Sequence, residues 1–136
     1  MNKKDKELLL RDLSGRLPYR PFVRLGKKEV CVLTGIDGDK VYLNIDTDSF
    51  DIESIKPILR PMSTMTKEER KEMGDILNNC GLSPYGEIKA SGEDNMLRCT
   101  AKQSFLFLNY MYSKHFDVNH LIDEGLAYEM PEEMYK

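Results

Sequence analysis

The stretch "EVCVLTGIDGDKVYLNI", residues 29–45, decides the fold. Its first half is a β-branched run. Asp37 and Gly38 then fall in a turn cluster, and Val41, Leu43 and Ile45 alternate with Tyr42 and Asn44. Two strands joined by a tight turn are predicted, because Asp-Gly tolerates the positive φ that a two-residue hairpin loop demands. Upstream, "FVRL" (22–25) alternates in the same way. Downstream, "FDIESIKPILRP" (50–61) carries another strand signal. Pro57 lacks an N–H, so this strand is expected at an edge or a terminus of the sheet. Four or five short strands in about 40 residues predict a small curled antiparallel sheet, of which an SH3-like barrel has the natural size.

Before the strands, residues 4–14 read as a helix. Leu9, Leu10, Leu13 and Leu17 have helical spacing, and Gly15 is placed to stop it. "LPYRPF" (17–22) breaks regular structure, because two prolines fix φ and remove donors. After Met62 the period changes. Thr66 and Glu69 form a capping box ahead of an apolar stripe of Met73, Ile76, Leu77 and Cys80, closed by Gly81. Residues 82–98 mix glycine, proline and charge and read as a loop. Thr100 and Gln103 make a second capping box. Ala101, Phe105, Leu108, Met111 and Tyr112 then fall on one face of the next helix. That face is expected to pack in the core. Phe107 and Tyr110 lie off it, and so wide an apolar surface implies burial on more than one side, the alternative being an exposed patch that meets a partner.

The fold class is therefore α+β: an N-terminal helix and a small antiparallel barrel or curled sheet, then a helical C-terminal half. The expected division is a first lobe at 1–62 and a helical lobe at 63–136, packed as one compact unit.

The totals exclude several classes. A chain of 136 residues, 40% hydrophobic and 32% charged, is neither wholly disordered nor membrane-spanning in composition. The early apolar run is only Leu8, Leu9 and Leu10, shorter than the roughly 7–15 residues of a secretory signal. Three widely spaced cysteines, Cys31, Cys80 and Cys99, argue against a disulfide framework. A cytoplasmic location is expected. The net charge of −3 is unevenly spread: residues 1–30 hold nine Lys/Arg against four Asp/Glu, while residues 63–136 hold eight against thirteen.

Chemistry has few footholds. "SKHFDVNHLIDEGLA", residues 113–127, contains both histidines, His115 and His120, beside Asp117, Asp123 and Glu124. A helical zinc pair needs i, i+4 spacing, but these are five apart. The stretch reads as a helix start instead. Asp117 stands at the N-cap, Val118, Leu121 and Ile122 form the stripe, and Gly125 closes it. "DTDSFDIE" (46–53) fails the calcium-loop pattern, since Phe50 and Asp51 occupy its fifth and sixth positions. No phosphate-cradling glycine loop or nucleophile elbow occurs. "PYRP" (18–21) fits P-x-x-P, but as four residues between elements it reads as a rigid turn. No cofactor, metal or catalytic residue is expected.

One surface has a chemical direction. Arg11, Arg16, Arg20, Arg24, Lys27 and Lys28 cluster early, with Tyr19 and Phe22 among them. Small barrels bind nucleic acid with such cations along the phosphate backbone and aromatics under the bases. Solvated surface charge has the same letters.

Three segments carry a family resemblance. "RDLSGRLPY" (11–19), "IKPILRPMSTMTKEER" (55–70) and "FLNYMYSKHFDVNHLIDEGLAYEMPEEMY" (107–135) resemble, in this order, segments of small proteins from gut Bacteroides-type bacteria and their phages. The resemblance implies a bacterial cytoplasm and often a prophage or mobile element. It carries no activity and no site residue. The functional expectation is a non-enzymatic accessory or interaction protein acting through a protein partner or as a homo-oligomer. The alternative is a nucleic-acid-binding module on the basic N-terminal surface.

Overall fold

The computed structural model describes residues 1–27, 29–77 and 101–135. Lys28, Cys80, Gly81, Cys99, the loop expected at 82–98 and the capping box expected at Thr100 lie outside them. The described chain is mixed α+β and falls into two units, one of Met1–Met62 with Tyr112–Lys136 and one of Ser63–Met111. Residues 112–136, assigned from sequence to a second lobe, thus group with the first.

The first unit opens with helix α1, Lys3–Arg16. Asn2 caps it, its Oδ1 accepting the Asp5 N–H at 2.8 Å. Leu9 and Leu13 are fully buried. Gly15 does not stop the helix. An added Cβ there would lie 2.5 Å from Cε2 of Tyr112, so glycine permits a close approach. Leu17–Tyr19 make a 3-10 turn with Pro18 near its start, and Arg20 leaves it at φ 50°.

The sheet comprises β1 (Phe22–Leu25), β2 (Val30–Asp37), β3 (Lys40–Leu43), β4 (Ser49–Asp51), β5 (Ile55–Leu59) and β6 (Tyr128–Glu129). It is open and six-stranded, in the order β4-β3-β2-β1-β5-β6. Pairing is antiparallel except between β5 and β6. Gly38, at φ 62°, turns the predicted β2–β3 hairpin. A register shift between Leu33 and Gly35 marks a bulge in β2, and the Tyr42 side chain lies against Gly35. A 3-10 turn, Ile52–Ser54, joins β4 to β5.

β5 is interior, not an edge. The Gly26 N–H donates to the Ser54 carbonyl, which makes Arg24–Lys56 a hydrogen-bonded pair and Val23–Pro57 a non-hydrogen-bonded one. The Pro57 nitrogen therefore faces away from β1, toward the side where β6 pairs only from Ile58 onward. No ladder bond is lost to the missing N–H.

One core unites this unit. Leu9 and Leu13 from α1 pack with Val23, Cys31, Leu33, Val41, Leu43, Ile52, Ile55 and Leu59 from the sheet region and with Leu121, Leu126 and Ala127. Stretch 117–125 forms turns, not the predicted helix. The Asp117 carboxylate accepts the N–H groups of Leu121 (2.7 Å) and Ile122 (3.0 Å). Gly125, at φ 72°, closes the far end. Its N–H reaches the Ile122 carbonyl, and the Leu126 N–H reaches that of Leu121, the pairing of a Schellman motif. The closing cap is present, whereas Asp117 accepts from four and five residues on, beyond the reach of an N-cap, and ties the turn instead.

The second unit contains α2 (Lys67–Leu77) and α3 (Ala101–Ser113), whose last two residues belong to the first unit. The Thr66–Glu69 capping box is formed in both directions, at 3.0 and 3.1 Å. The Tyr110 hydroxyl donates to the Glu69 carbonyl at 3.3 Å.

Candidate functional site

Three places hold chemistry: a buried polar cluster, a basic surface and an apolar helix face. The cluster begins with Asp12 and Arg16, one turn apart on α1 and both buried. Arg16 Nε donates to Asp12 Oδ1 at 2.5 Å, and Nη2 donates to Oδ2 at 3.1 Å. The same Nη2 donates to the Phe116 carbonyl at 2.7 Å, and Tyr112 stacks 4.7 Å from the guanidinium carbon. Asn119 Nδ2 donates to Asp12 Oδ2 at 2.8 Å. Nη1 of Arg16 is buried without a hydrogen-bond partner among the described residues.

Next to it, Arg60 prolongs β5. Its N–H donates to the His115 carbonyl at 2.7 Å and its carbonyl accepts the Asp117 N–H at 2.9 Å. Its guanidinium lies between the rings of Phe116 (4.2 Å) and Tyr135 (4.3 Å). His115 packs its ring on Phe22 at 5.3 Å. Burial, then the charges of Arg16 and Arg60, push its imidazole below the ordinary value near 6.5. Asp12 and Asp117 have both carboxylate oxygens occupied, by side-chain donors in the first case and backbone N–H groups in the second. The acids of this cluster hold structure together.

His120 is exposed, its Nδ1 3.9 Å from Asp123 Oδ2. Among the described residues, no group of three or more His, Cys, Asp or Glu is placed to hold a metal ion. Cys31 is buried with a free thiol, which burial and then Glu29 push up from the ordinary range, away from the reactive thiolate. No helix among the described residues is long and apolar enough to cross a membrane.

Of the basic residues predicted as one surface, one is withdrawn into the core. Arg16 is the clear correction: with no exposed area, it is a core ion pair and meets no ligand from solvent. Arg11 and Lys4 line an open hollow of about 450 Å³ with the carboxylates of Asp5, Glu7 and Glu124. Arg20 and Lys27 are exposed, and Tyr19 is half-buried. Arg24 is half-buried and pairs in register with Lys56, a cation that sequence position had not linked to it. Both lie over the Tyr128 ring, at 5.7 and 5.4 Å.

The apolar face lies on α3 and is not the one predicted. Phe105, Leu106 and Leu108 are 65%, 43% and 41% exposed, while Phe107 and Tyr110 are half-buried and Met111 is buried. Of the face expected to pack, Phe105 and Leu108 face solvent. The buried side runs through 107, 110 and 111, an equally good i, i+3, i+4 stripe. Because the helix is apolar nearly all round, spacing had no means to choose. Comparison of the chain with protein families, curated proteins and solved structures found no match.

Proposed function

We propose that this chain is a non-enzymatic accessory protein that binds another protein through the exposed face of α3. The observation that carries this is Phe105, a large aromatic side chain 65% exposed, with Leu106 and Leu108 beside it. Full burial of one such side chain is worth about 1.5–3 kcal/mol, of which a partner would recover the part still exposed, and clustered apolar exposure marks contact surfaces. The binding segment is expected to be apolar at its centre, with aromatic or aliphatic anchors.

The test is a photo-crosslinking amino acid placed at Phe105, and at Lys27 as a control, in the host cell. A discrete protein adduct at position 105 is expected. The partner, once purified, binds the wild-type chain and loses at least about tenfold in affinity for Phe105→Ser, a hot-spot loss of 1.4 kcal/mol or more. No adduct at 105, or nucleic-acid adducts at 27, goes against the proposal.

The second reading is nucleic-acid binding, favoured by the Arg24–Lys56 pair with Lys27 and Arg20 exposed nearby in sequence. Two points weaken it: Arg16 is lost to the core, and the Tyr128 ring already carries two cations. Titration with DNA and RNA at about 50 and 200 mM salt decides it, since phosphate contacts weaken steeply with salt.

Reading the sheet as an SH3-like barrel is supported by the strand order β4-β3-β2-β1-β5 and by the 3-10 turn before β5. Such barrels host many unrelated functions, so the binding role rests on the exposed α3 face and not on the fold. The setting in a bacterial cytoplasm and a phage or mobile element rests on the sequence resemblance alone.

A further inference from the structure

His115 ends α3 in a backbone conformation that is uncommon for a residue with a side chain. Its φ is 64°, and its N–H donates to the Tyr112 carbonyl at 3.0 Å. From there the chain runs as a strap beside the end of β5. The Arg60 N–H donates to the His115 carbonyl, and the Asp117 N–H donates to the Arg60 carbonyl. These two bonds make Arg60 and Phe116 a parallel bridge. The His115 ring is tucked inward against Phe22, and its Nδ1 is buried with no hydrogen-bond partner.

The surroundings are unfavourable for a positive imidazole. The guanidiniums of Arg16, from α1, and Arg60, at the end of β5, act on it, and Phe22 of β1 packs on its ring. The carboxylates of Asp12 and Asp117 already accept from other groups. Asp12 is taken by Arg16 and Asn119, and Asp117 by the backbone of Leu121 and Ile122. A proton on His115 would add a positive charge beside the guanidiniums of Arg16 and Arg60, with its Nδ1–H lacking an acceptor.

We propose that His115 is a proton-operated latch: neutral, it lets the strap 112–117 lie along the end of β5, and protonated, it drives the strap off. The sign follows from linkage. Burial and the two arginines hold the closed-state imidazole below its ordinary value near 6.5. The open strap therefore takes up the proton first as pH falls. The closed form has its full stability above about pH 6.5 and loses it as pH falls from there toward the depressed value of the closed state.

The test is amide hydrogen exchange at Arg60 and Asp117 by NMR, corrected for intrinsic rates, between pH 7.5 and 5.5. The wild-type chain is compared with His115→Asn, which does not titrate and tolerates the left-handed backbone. In the wild type, protection of both amides is expected to fall severalfold on acidification, about tenfold being the ceiling for one proton over this range. In His115→Asn it should stay level. Equal falls in both proteins, or no fall in the wild type, overturn the latch. Should His115→Asn fail to fold, the wild-type His115 ring resonance decides. Its titration midpoint is expected below that of the same residue in the urea-unfolded chain, and a midpoint at or above that value overturns the proposal.

Discussion

Arg16 binds α1 to the strap through one guanidinium: Asp12 on one side, the Phe116 carbonyl on the other and Tyr112 across its face. Removing one member of a buried pair strands the other, so Asp12→Ala is expected to cost about 3–5 kcal/mol in urea unfolding. Replacing both, as Asp12→Leu with Arg16→Met, should recover much of that loss, because the uncompensated charge is gone. Gly15→Ala tests the neighbouring contact. Helix propensity alone would favour alanine by about 1 kcal/mol. The Cβ would instead press on the Tyr112 ring, and a net loss of about 1–2 kcal/mol is expected by urea unfolding. A gain would mean that the ring stands further off. In sequence, Arg16 was indistinguishable from its solvated basic neighbours. The signal lay in two spacings, the i, i+4 pair Asp12–Arg16 and the continuation of the Leu9, Leu13 stripe to position 16. Composition counts a charge without saying where it points.

At the scale of the element, stretch 117–125 shows how a closing cap can be legible while the helix before it is not. Gly125 closes the stretch as its letter predicts, while Asp117 accepts from four and five residues on and ties a turn where an N-cap was expected. Between them His120 adopts φ 57°, which no helix admits. A single turn also gains too few hydrogen bonds to repay helix nucleation. The stretch is held by the Asp117 carboxylate, by the Gly125 turn and by Leu121 and Leu126 in the core. Asp117→Ala should thus cost about 1–2 kcal/mol, read by urea unfolding, with Asp117→Asn costing less. The sheet was easier to read. Period-two alternation and Asp-Gly located the β2–β3 hairpin, while Pro57 misplaced β5. A proline is excluded only where its missing N–H breaks a ladder bond, and the parity of a pairing register is absent from local sequence.

Across the whole molecule, long-range pairing assigned residues that periodicity could not. β6 and Phe116 both pair beside β5, more than fifty residues upstream, and draw 112–136 into the first unit. Nothing in a local window announces a two-residue parallel strand. The same limit hid the choice of face on α3, where apolar residues on every side left the helix free to turn Phe105 and Leu108 outward. That choice is the central claim, because the proposed partner needs the face free in the folded chain. Urea unfolding of Phe105→Ser/Leu108→Ser against the wild type, at a concentration where both are monomeric, tests it most directly. The account predicts a difference within about 1 kcal/mol, as for two surface positions. A loss of about 4 kcal/mol or more, the cost of opening a core at two large side chains, would place this face inside the fold and contradict the proposed docking surface.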